Sequence, residues 1–172
     1  VTAISTDLQS WATRAPTLDY NGYALVVDSG GNSYYFGLTV DTADAVVAKH
    51  SSAGAKLWSI TLHAASSIRF KKAIIDTNGD IIAVGRLGNT EFGNIALVKI
   101  NATGSVVWST EISYNRPSTV TYVEDLSSDS SNNLYLLWSR RTVSTADSDN
   151  LLIKLSSLGT EVWANSLVSP EQ

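Results

Sequence analysis

Aromatic and charged side chains recur at one fixed spacing in this sequence, and such residues could stack on sugars or form a ring of positive charge. In each of three copies an Asp or Asn precedes Lys by five residues, Lys precedes Gly by five, and Gly precedes Trp by four. The copies are Asp44, Lys49, Gly54 and Trp58; Asn94, Lys99, Gly104 and Trp108; and Asp149, Lys154, Gly159 and Trp163. A register kept through three copies indicates a repeated structural unit.

Four tryptophans share one place in this pattern: Trp11, Trp58, Trp108 and Trp163. They could be stacking platforms for sugars, but a binding site rarely needs every copy. We therefore interpret them as structural residues that lock neighbouring repeats together by burial. The segment around Trp11 resembles those around the other three, which predicts an orphan copy of the last strand of a repeat.

The charged positions of the repeat also have a structural interpretation. Lysines that follow a buried strand usually carry their charge to solvent while their stems cover apolar surface. We predict this arrangement for Lys49, Lys99 and Lys154. The residues that begin the motif are predicted to be turn residues that bond nearby backbone amides; they are Asp44, Asn94 and Asp149.

Metal and catalytic chemistry find little support in the residue types. The segment 76–80 resembles the start of a calcium loop, but its sixth position is Ile81 and its twelfth is Leu87, so an EF-hand fails and a turn is predicted. His50 and His63 have no partner at metal-ligand spacing. We predict no metal, no cofactor and no catalytic constellation, and hence a protein that is not an enzyme.

Recognition is expected where the repeats are least regular. These segments are the linker from His63 to Lys72 and the loop from Ser139 to Asp147. Variable loops on a regular scaffold usually carry binding residues. Trp138, Arg140 and Arg141 are therefore predicted to form a contact patch, with simple repacking as the alternative.

Composition limits the class of protein. The chain has 172 residues, of which 44% are hydrophobic and 16% charged, which fits one globular domain over residues 1–172. A net charge of −4 argues against a nucleic-acid partner. The absence of cysteine excludes disulfides and thiolate chemistry. No apolar run is long enough to span a membrane.

Short apolar runs between turn residues predict strands throughout, and no helical periodicity extends beyond two turns. The predicted organisation is all-β, with four strands in each repeat. An orphan strand and linker over 1–20 precede repeats over 21–63, 70–113 and 120–168.

The repeat also resembles a known family. Asp28-x-x-Gly31-Asn32-x-Tyr34-x-x-Gly37, followed by the Lys and Gly-x-x-x-Trp-Ser positions, is similar to the bacterial β-propeller repeat of secreted, surface and phage proteins. The Gly-x-x-x-Trp end also resembles the tryptophan-docking repeat of quinoprotein propellers. The third copy departs from the pattern, because Trp138 and Asn132 replace glycines of the earlier copies.

The resemblance implies a propeller-like fold of three four-stranded antiparallel repeats, which is fewer than the four or more blades that usually close a ring. Three arrangements are compatible with that number. The chain is part of a larger propeller, or several chains complete a ring together, or the three repeats form a β-trefoil.

The functional expectation follows from the resemblance and from the missing active site. It is a non-catalytic structural or recognition module of a virion tail or fibre, or of a cell-surface assembly, and thus located on a virion or at the cell exterior. Receptor binding and protein–protein contacts within a homo-oligomer or larger assembly are expected. The alternative is a carbohydrate-binding lectin of the oligomeric propeller type, with a surface glycan as its partner.

Overall fold

A computed structural model describes residues 20–39, 44–63, 67–88, 94–113, 119–142 and 148–167. Those ranges contain twelve strands: β1 Tyr20–Val27, β2 Ser33–Thr39, β3 Ala45–His50, β4 Lys56–Leu62, β5 Ile68–Ile75, β6 Ile81–Leu87, β7 Asn94–Ile100, β8 Val106–Ile112, β9 Thr119–Ser128, β10 Leu134–Thr142, β11 Ser148–Leu155 and β12 Glu161–Leu167. Within the same ranges, no helix is long and apolar enough to cross a membrane.

The strands form three four-stranded antiparallel sheets, each made of four strands that are consecutive in the chain. The first sheet has the order β1-β2-β3-β4, the second β5-β6-β7-β8, and the third β9-β10-β11-β12. The prediction of an all-β chain with three four-stranded antiparallel units is therefore confirmed. The strands that begin and end each unit lie at opposite edges of its sheet.

Aspartates close the turn between the first two strands of every sheet. Oδ1 of Asp76 accepts hydrogen bonds from the backbone amides of Asn78 and Asp80, at 2.8 and 3.0 Å. Gly79 completes this turn with a φ of +80°, a conformation in which a Cβ is strained. The turn predicted for residues 76–80 is thus confirmed. Asn132 takes the corresponding position in the third sheet with a φ of +60°, which asparagine tolerates better than most residues.

Each sheet has a forward face, which carries the repeat tryptophan, and a rear face on its opposite side. One core cluster joins the forward face of the first sheet to the rear face of the second, with Phe36 and Val47 against Ala83 and Val98. The other joins the forward face of the second sheet to the rear face of the third, through residues such as Leu97 and Leu136. The second sheet is therefore covered on both sides, and its two central strands, β6 and β7, are almost continuously buried.

Two segments expected to be irregular are partly strand, which corrects the predicted linker and loop. Strand β5 begins at Ile68, inside the predicted linker from His63 to Lys72, and β10 continues to Thr142, inside the predicted loop from Ser139 to Asp147. Cross-strand pairing extends both elements, since Arg69 lies opposite Arg86 and Arg140 lies opposite Asp149. The sequence has no alternating apolar pattern there, because both segments are rich in polar residues.

Candidate functional site: tryptophan docking between sheets

Trp58 joins the first sheet to the second through a turn of its neighbour. Its indole Nε1 donates a hydrogen bond to the carbonyl of Ala102, 3.1 Å away, in the turn between β7 and β8. The ring covers Gly104, where a Cβ would lie 3.2 Å from the indole Cδ2. Gly104 also has a φ of +92°, so both the space and the backbone at this position favour glycine.

Trp108 repeats that contact between the second and third sheets. Its Nε1 donates to the carbonyl of Ser157 at 3.1 Å, and a Cβ on Gly159 would lie 2.9 Å from the ring carbon Cε3. The hydroxyl of Thr110 adds a hydrogen bond to the carbonyl of Gly159, also at 3.1 Å. At both interfaces between sheets, an indole ring thus packs on a glycine of the next sheet. The sequence did not predict the turn carbonyls that accept hydrogen bonds from the indoles.

Within its own sheet, Trp163 packs against a tyrosine as Trp58 does. In the described part of the chain, however, no turn of a following sheet lies against Trp163. Its ring meets Tyr135 edge-on at 6.3 Å, as Trp58 meets Tyr34 at 6.0 Å. The first sheet carries the complementary element at the other end of the stack. In its turn, Gly54 donates to the carbonyl of Ser51 and has a φ of +82°, which matches the turns that contain Gly104 and Gly159. Trp11, the predicted orphan docking residue, lies outside the described residues.

The first and third sheets, at the two ends of the stack, have apolar residues that are more exposed than the equivalent residues of the second sheet. On the rear face of the first sheet, Leu25 is 65% exposed and Val27 is 55% exposed. The equivalent residues of the second sheet, Ala73 and Ile75, pack into the core. On the forward face of the third sheet, Leu152 is half-buried, whereas the equivalent Leu97 is buried. The exposed residues thus lie on faces equivalent to those of the internal interfaces, although Val46 and Ala48 at the centre of the first sheet's rear face are buried.

A lysine lies beside each tryptophan and reaches back to the aspartate of the first turn. Lys99 is only 6% exposed, and its Nζ lies 2.6 Å from Asp76 Oδ2 and 3.1 Å from Asp80 Oδ2. The prediction that this lysine carries its charge to solvent is wrong, because two carboxylates compensate the charge inside the interface. Burial lowers the pKa of Lys99, but the hydrogen bonds and charges of Asp76 and Asp80 outweigh it and raise the pKa above its ordinary value.

The equivalent lysines of the outer sheets make looser versions of this contact. Lys49 lies 3.9 Å from Asp28 and 4.8 Å from the ring centre of Tyr34. Lys154 lies 4.0 Å from Asp129 and 5.1 Å from the ring centre of Tyr135. Cation–π attraction and a longer ion pair thus replace the tight pairing at Lys99.

The turn aspartates make the protein sensitive to acid. Hydrogen bonds from Asn32 lower the pKa of the Asp28 carboxyl, and those from Asn133 lower the pKa of Asp129. A carboxyl with a lowered folded pKa contributes stability above its unfolded pKa of about 3.9, and that stability is lost as the pH falls through the folded pKa. We expect the free energy of unfolding to decrease below about pH 5.

Urea unfolding of the wild type and of a variant with both Asp28→Asn and Asp129→Asn, over a series of pH values, measures this contribution. The variant should be less stable at neutral pH and should lose less stability on acidification. An equally steep loss in both proteins would contradict the assignment to these two carboxyls.

The residues that begin each motif contact side chains across their sheets. Asp44 Oδ2 lies 3.2 Å from His63 Nδ1, and Asn94 donates its side-chain amide to Glu111. Asp149 accepts from Arg140 Nε and Nη2 at 3.0 and 2.8 Å. The prediction of turn residues is wrong for Asn94 and Asp149, which lie in β7 and β11. It also omitted these side-chain contacts, which depend on the pairing of distant strands.

The three residues of the predicted contact patch, Trp138, Arg140 and Arg141, differ in their exposure to solvent. Trp138 is 1% exposed and belongs to the core between the second and third sheets, so it packs the interior and is not available to a partner. Arg140, two residues further along β10, is also buried and pairs with Asp149. Arg141 is exposed. Recognition through the two arginines stays a prediction.

A cleft of about 460 Å³ opens between the first and second sheets at one end of their interface. It is lined mainly by apolar residues such as Leu62, Phe70 and Leu87, with His63 and Glu111 among its polar groups. Both polar groups already have partners, since His63 contacts Asp44 and Glu111 accepts from Asn94.

No family model matches this chain, and neither does any curated protein. The tryptophan docking contacts and the two open faces are therefore the observations on which a function can be argued.

Proposed function

We propose that this chain is a non-catalytic assembly module of the β-propeller type, whose copies associate through the two open ends of the sheet stack. The observation that carries the proposal is the pair of internal docking contacts, Trp58 on Ala102 and Trp108 on Ser157, together with the unmatched Trp163. In the proposed contact the third sheet of one copy packs on the first sheet of the next.

The internal contacts specify the geometry of this association. Trp163 Nε1 donates to the carbonyl of Ser52 in the second copy, and its ring covers Gly54 there. Leu25 and Val27 of that second copy pack against Leu152, as Ala73 and Ile75 pack, partly buried, against the core between the first and second sheets. Such a head-to-tail contact is heterologous, so it forms a closed ring if the rotation permits and a filament if it does not.

Two features of the fold support a propeller arrangement over a β-trefoil. The strand pairs of the described residues lie within single repeats, whereas a trefoil pairs strands of different repeats in a common barrel. The sheets also pack face to face in chain order, with the forward face of each on the rear face of the next. In a propeller, that relation continues from blade to blade around the ring.

The biological setting of the proposal is a virion tail or fibre, or a cell-surface assembly with a recognition role, and it rests on the resemblance of the repeat. The lectin alternative requires aromatic rings that a sugar can reach. Neighbouring turns cover the rings of Trp58 and Trp108 at Gly104 and Gly159. Among the described residues no glycine turn covers the ring of Trp163, and the proposed association uses that ring. A glycan array with the assembled protein separates the two functions, because binding would favour a lectin.

Leu25→Arg is expected to dissociate the assembly into monomers, because it places a charge in the apolar contact. Sedimentation velocity at micromolar concentration measures the change. Trp163→Ala should act in the same direction from the other side of the contact, since it removes both the ring and the indole donor.

Leu57→Arg provides the matched control on the same sheet. The equivalent residue of the second sheet, Val107, is 51% exposed although that sheet is covered on both faces. Position 57 therefore lies outside the docking contact, and its variant should assemble like the wild type. Assembly that survives both Leu25→Arg and Trp163→Ala would contradict the proposed contact.

A further inference from the structure

Two arginines lie directly opposite each other at one end of the second sheet. Arg69 on β5 pairs with Arg86 on β6 in the antiparallel register. Side chains of directly opposed residues leave the sheet on the same face, with Cβ atoms about 5 Å apart, and like charges in that position repel. The pair therefore costs stability unless something of opposite charge lies between the two guanidinium groups.

The face on which these arginines lie follows from the alternation of β6. Ile82 and Val84 point into the core shared with the third sheet, and Arg86 continues the same alternation. Ile95, which lies opposite Arg86 on β7, belongs to that core as well. The arginine pair thus borders the interface between the second and third sheets, where water is partly excluded.

Each arginine has a buried polar atom that lacks a partner. The Nε atoms of Arg69 and Arg86 are both shielded from solvent, and neither makes a hydrogen bond within the described part of the chain. A buried donor without an acceptor destabilises the folded protein, because its hydrogen bonds to water are not replaced. Two such donors at one place indicate an acceptor that the described part of the chain does not supply.

Other strand cations of this protein contrast with the pair. Lys49, Lys99, Arg140 and Lys154 each face an aspartate. Among the described residues, no carboxylate forms an ion pair with Arg69 or Arg86, although acidic residues outnumber basic ones in the chain by 16 to 12. Among the described residues, charge compensation is thus common on these strands, and the two opposed arginines lack it.

We propose that Arg69 and Arg86 bind an oxyanion of the phosphate type, held between the two guanidinium groups at the edge of the interface. A guanidinium presents its donors in a fork that fits two oxygens of one phosphate or carboxylate group. Two opposed forks suit an anion with three or four oxygens and up to two negative charges. A doubly charged phosphate meets both requirements better than a monocarboxylate.

The backbone around the pair is held in place, which favours a built site over a chance approach of two flexible side chains. Strand β5 has a bulge between Phe70 and Lys72. Next to the bulge, a Cβ on Gly85 would clash with the carbonyl oxygen of Arg69. The two strands therefore approach closely beside the arginines, and bulges commonly redirect side chains near binding sites.

Titration of the intact protein with inorganic phosphate tests the proposal, followed through the Arg Nε–H signals in nitrogen-edited NMR spectra and by isothermal calorimetry. Acetate and chloride at equal ionic strength distinguish a phosphate site from a carboxylate site and from general screening. We expect phosphate to shift the Nε–H signals of Arg69 and Arg86 and to bind more tightly than acetate.

Arg86→Gln should weaken phosphate binding about tenfold, since one charge-assisted contact is lost. It should not destabilise the unliganded protein, because it relieves the repulsion. Arg141→Gln, which changes an exposed arginine of the third sheet, is the control and should bind phosphate like the wild type. Equal phosphate responses of the wild type and Arg86→Gln, or tighter binding of acetate than of phosphate, would overturn the proposal.

Discussion

Lys99→Met is expected to lower the free energy of unfolding by about 3–5 kcal/mol, because it leaves a buried carboxylate without its counter-charge. The side chain of Asp76 is fully buried and lies 2.6 Å from Lys99 Nζ. Methionine keeps much of the volume of the lysine stem, so the loss reports the uncompensated charge and not a cavity. Urea unfolding at pH 7, followed by Trp fluorescence, measures the difference.

Lys49→Met is the matched control, because Lys49 has the same place in the first sheet. Its ion pair with Asp28 spans 3.9 Å, and both side chains keep contact with solvent. Removal of this longer pair, which solvent reaches, should cost less than removal of the tight pair at Lys99. Equal losses of unfolding free energy in the two variants would show that the tight ion pairs of Lys99 stabilise the protein no more than the longer pair of Lys49.

The raised pKa of Lys99 sets the pH range of this effect. A lysine whose pKa is raised in the folded state contributes its stability fully below the unfolded pKa of about 10.4, and loses it as the pH rises through the folded pKa. The difference between the wild type and Lys99→Met should therefore be constant near neutral pH and shrink in strongly alkaline solution.

Trp108→Ala is expected to destabilise the monomer by about 3 kcal/mol, since it removes a large ring from the contact between the second and third sheets. The indole packs on Gly159 and donates to the carbonyl of Ser157. Trp108→Phe keeps a ring but loses the donor, so its cost should be about 1 kcal/mol. Chemical unfolding of dilute protein gives both values.

Trp163→Ala separates docking from packing within a sheet. Trp163 meets a tyrosine of its own sheet edge-on, as Trp58 does, but it has no following turn among the described residues. Its replacement should therefore cost the dilute monomer much less than Trp108→Ala. Similar costs would mean that the tryptophans stabilise their own sheets and that docking contributes little.

The strands and the repeat could be predicted from the sequence because both depend on short-range order. The spacing from Lys99 through Gly104 to Trp108 recurs in every copy, and a β-hairpin brings Lys99 and Trp108 directly opposite each other. The glycine needed for the positive φ of the turn lies between them. Local turn chemistry and strand periodicity thus fix the register of each hairpin.

The interior charges could not be predicted in the same way. Lys99 finds Asp76 and Asp80 only after β5, β6 and β7 have paired, and nothing next to Lys99 in the sequence indicates a buried position with two carboxylates. Trp138 lies beside the irregular segment from Ser139 to Asp147, which suggested a contact residue. The third sheet instead directs it into the core, since it continues the alternation of Leu134 and Leu136.

The arginine pair was missed because one partner fell within a predicted linker. Arg69 lies in the segment from His63 to Lys72, which lacks the alternating apolar pattern of a strand. A sequence signal existed: the second repeat needs a first strand as long as that of the first repeat, and an extension toward residue 68 would have placed Arg69 opposite Arg86. The equal lengths of β1 and β5 confirm that this comparison is informative.

Native mass spectrometry of the wild-type chain at micromolar concentration tests most directly whether the open ends of the sheet stack bind each other. The proposed docking of Trp163 on the turn of a second copy predicts a discrete oligomer that is lost in Leu25→Arg and retained in Leu57→Arg. A wild-type chain that stays monomeric throughout the micromolar range would contradict the account.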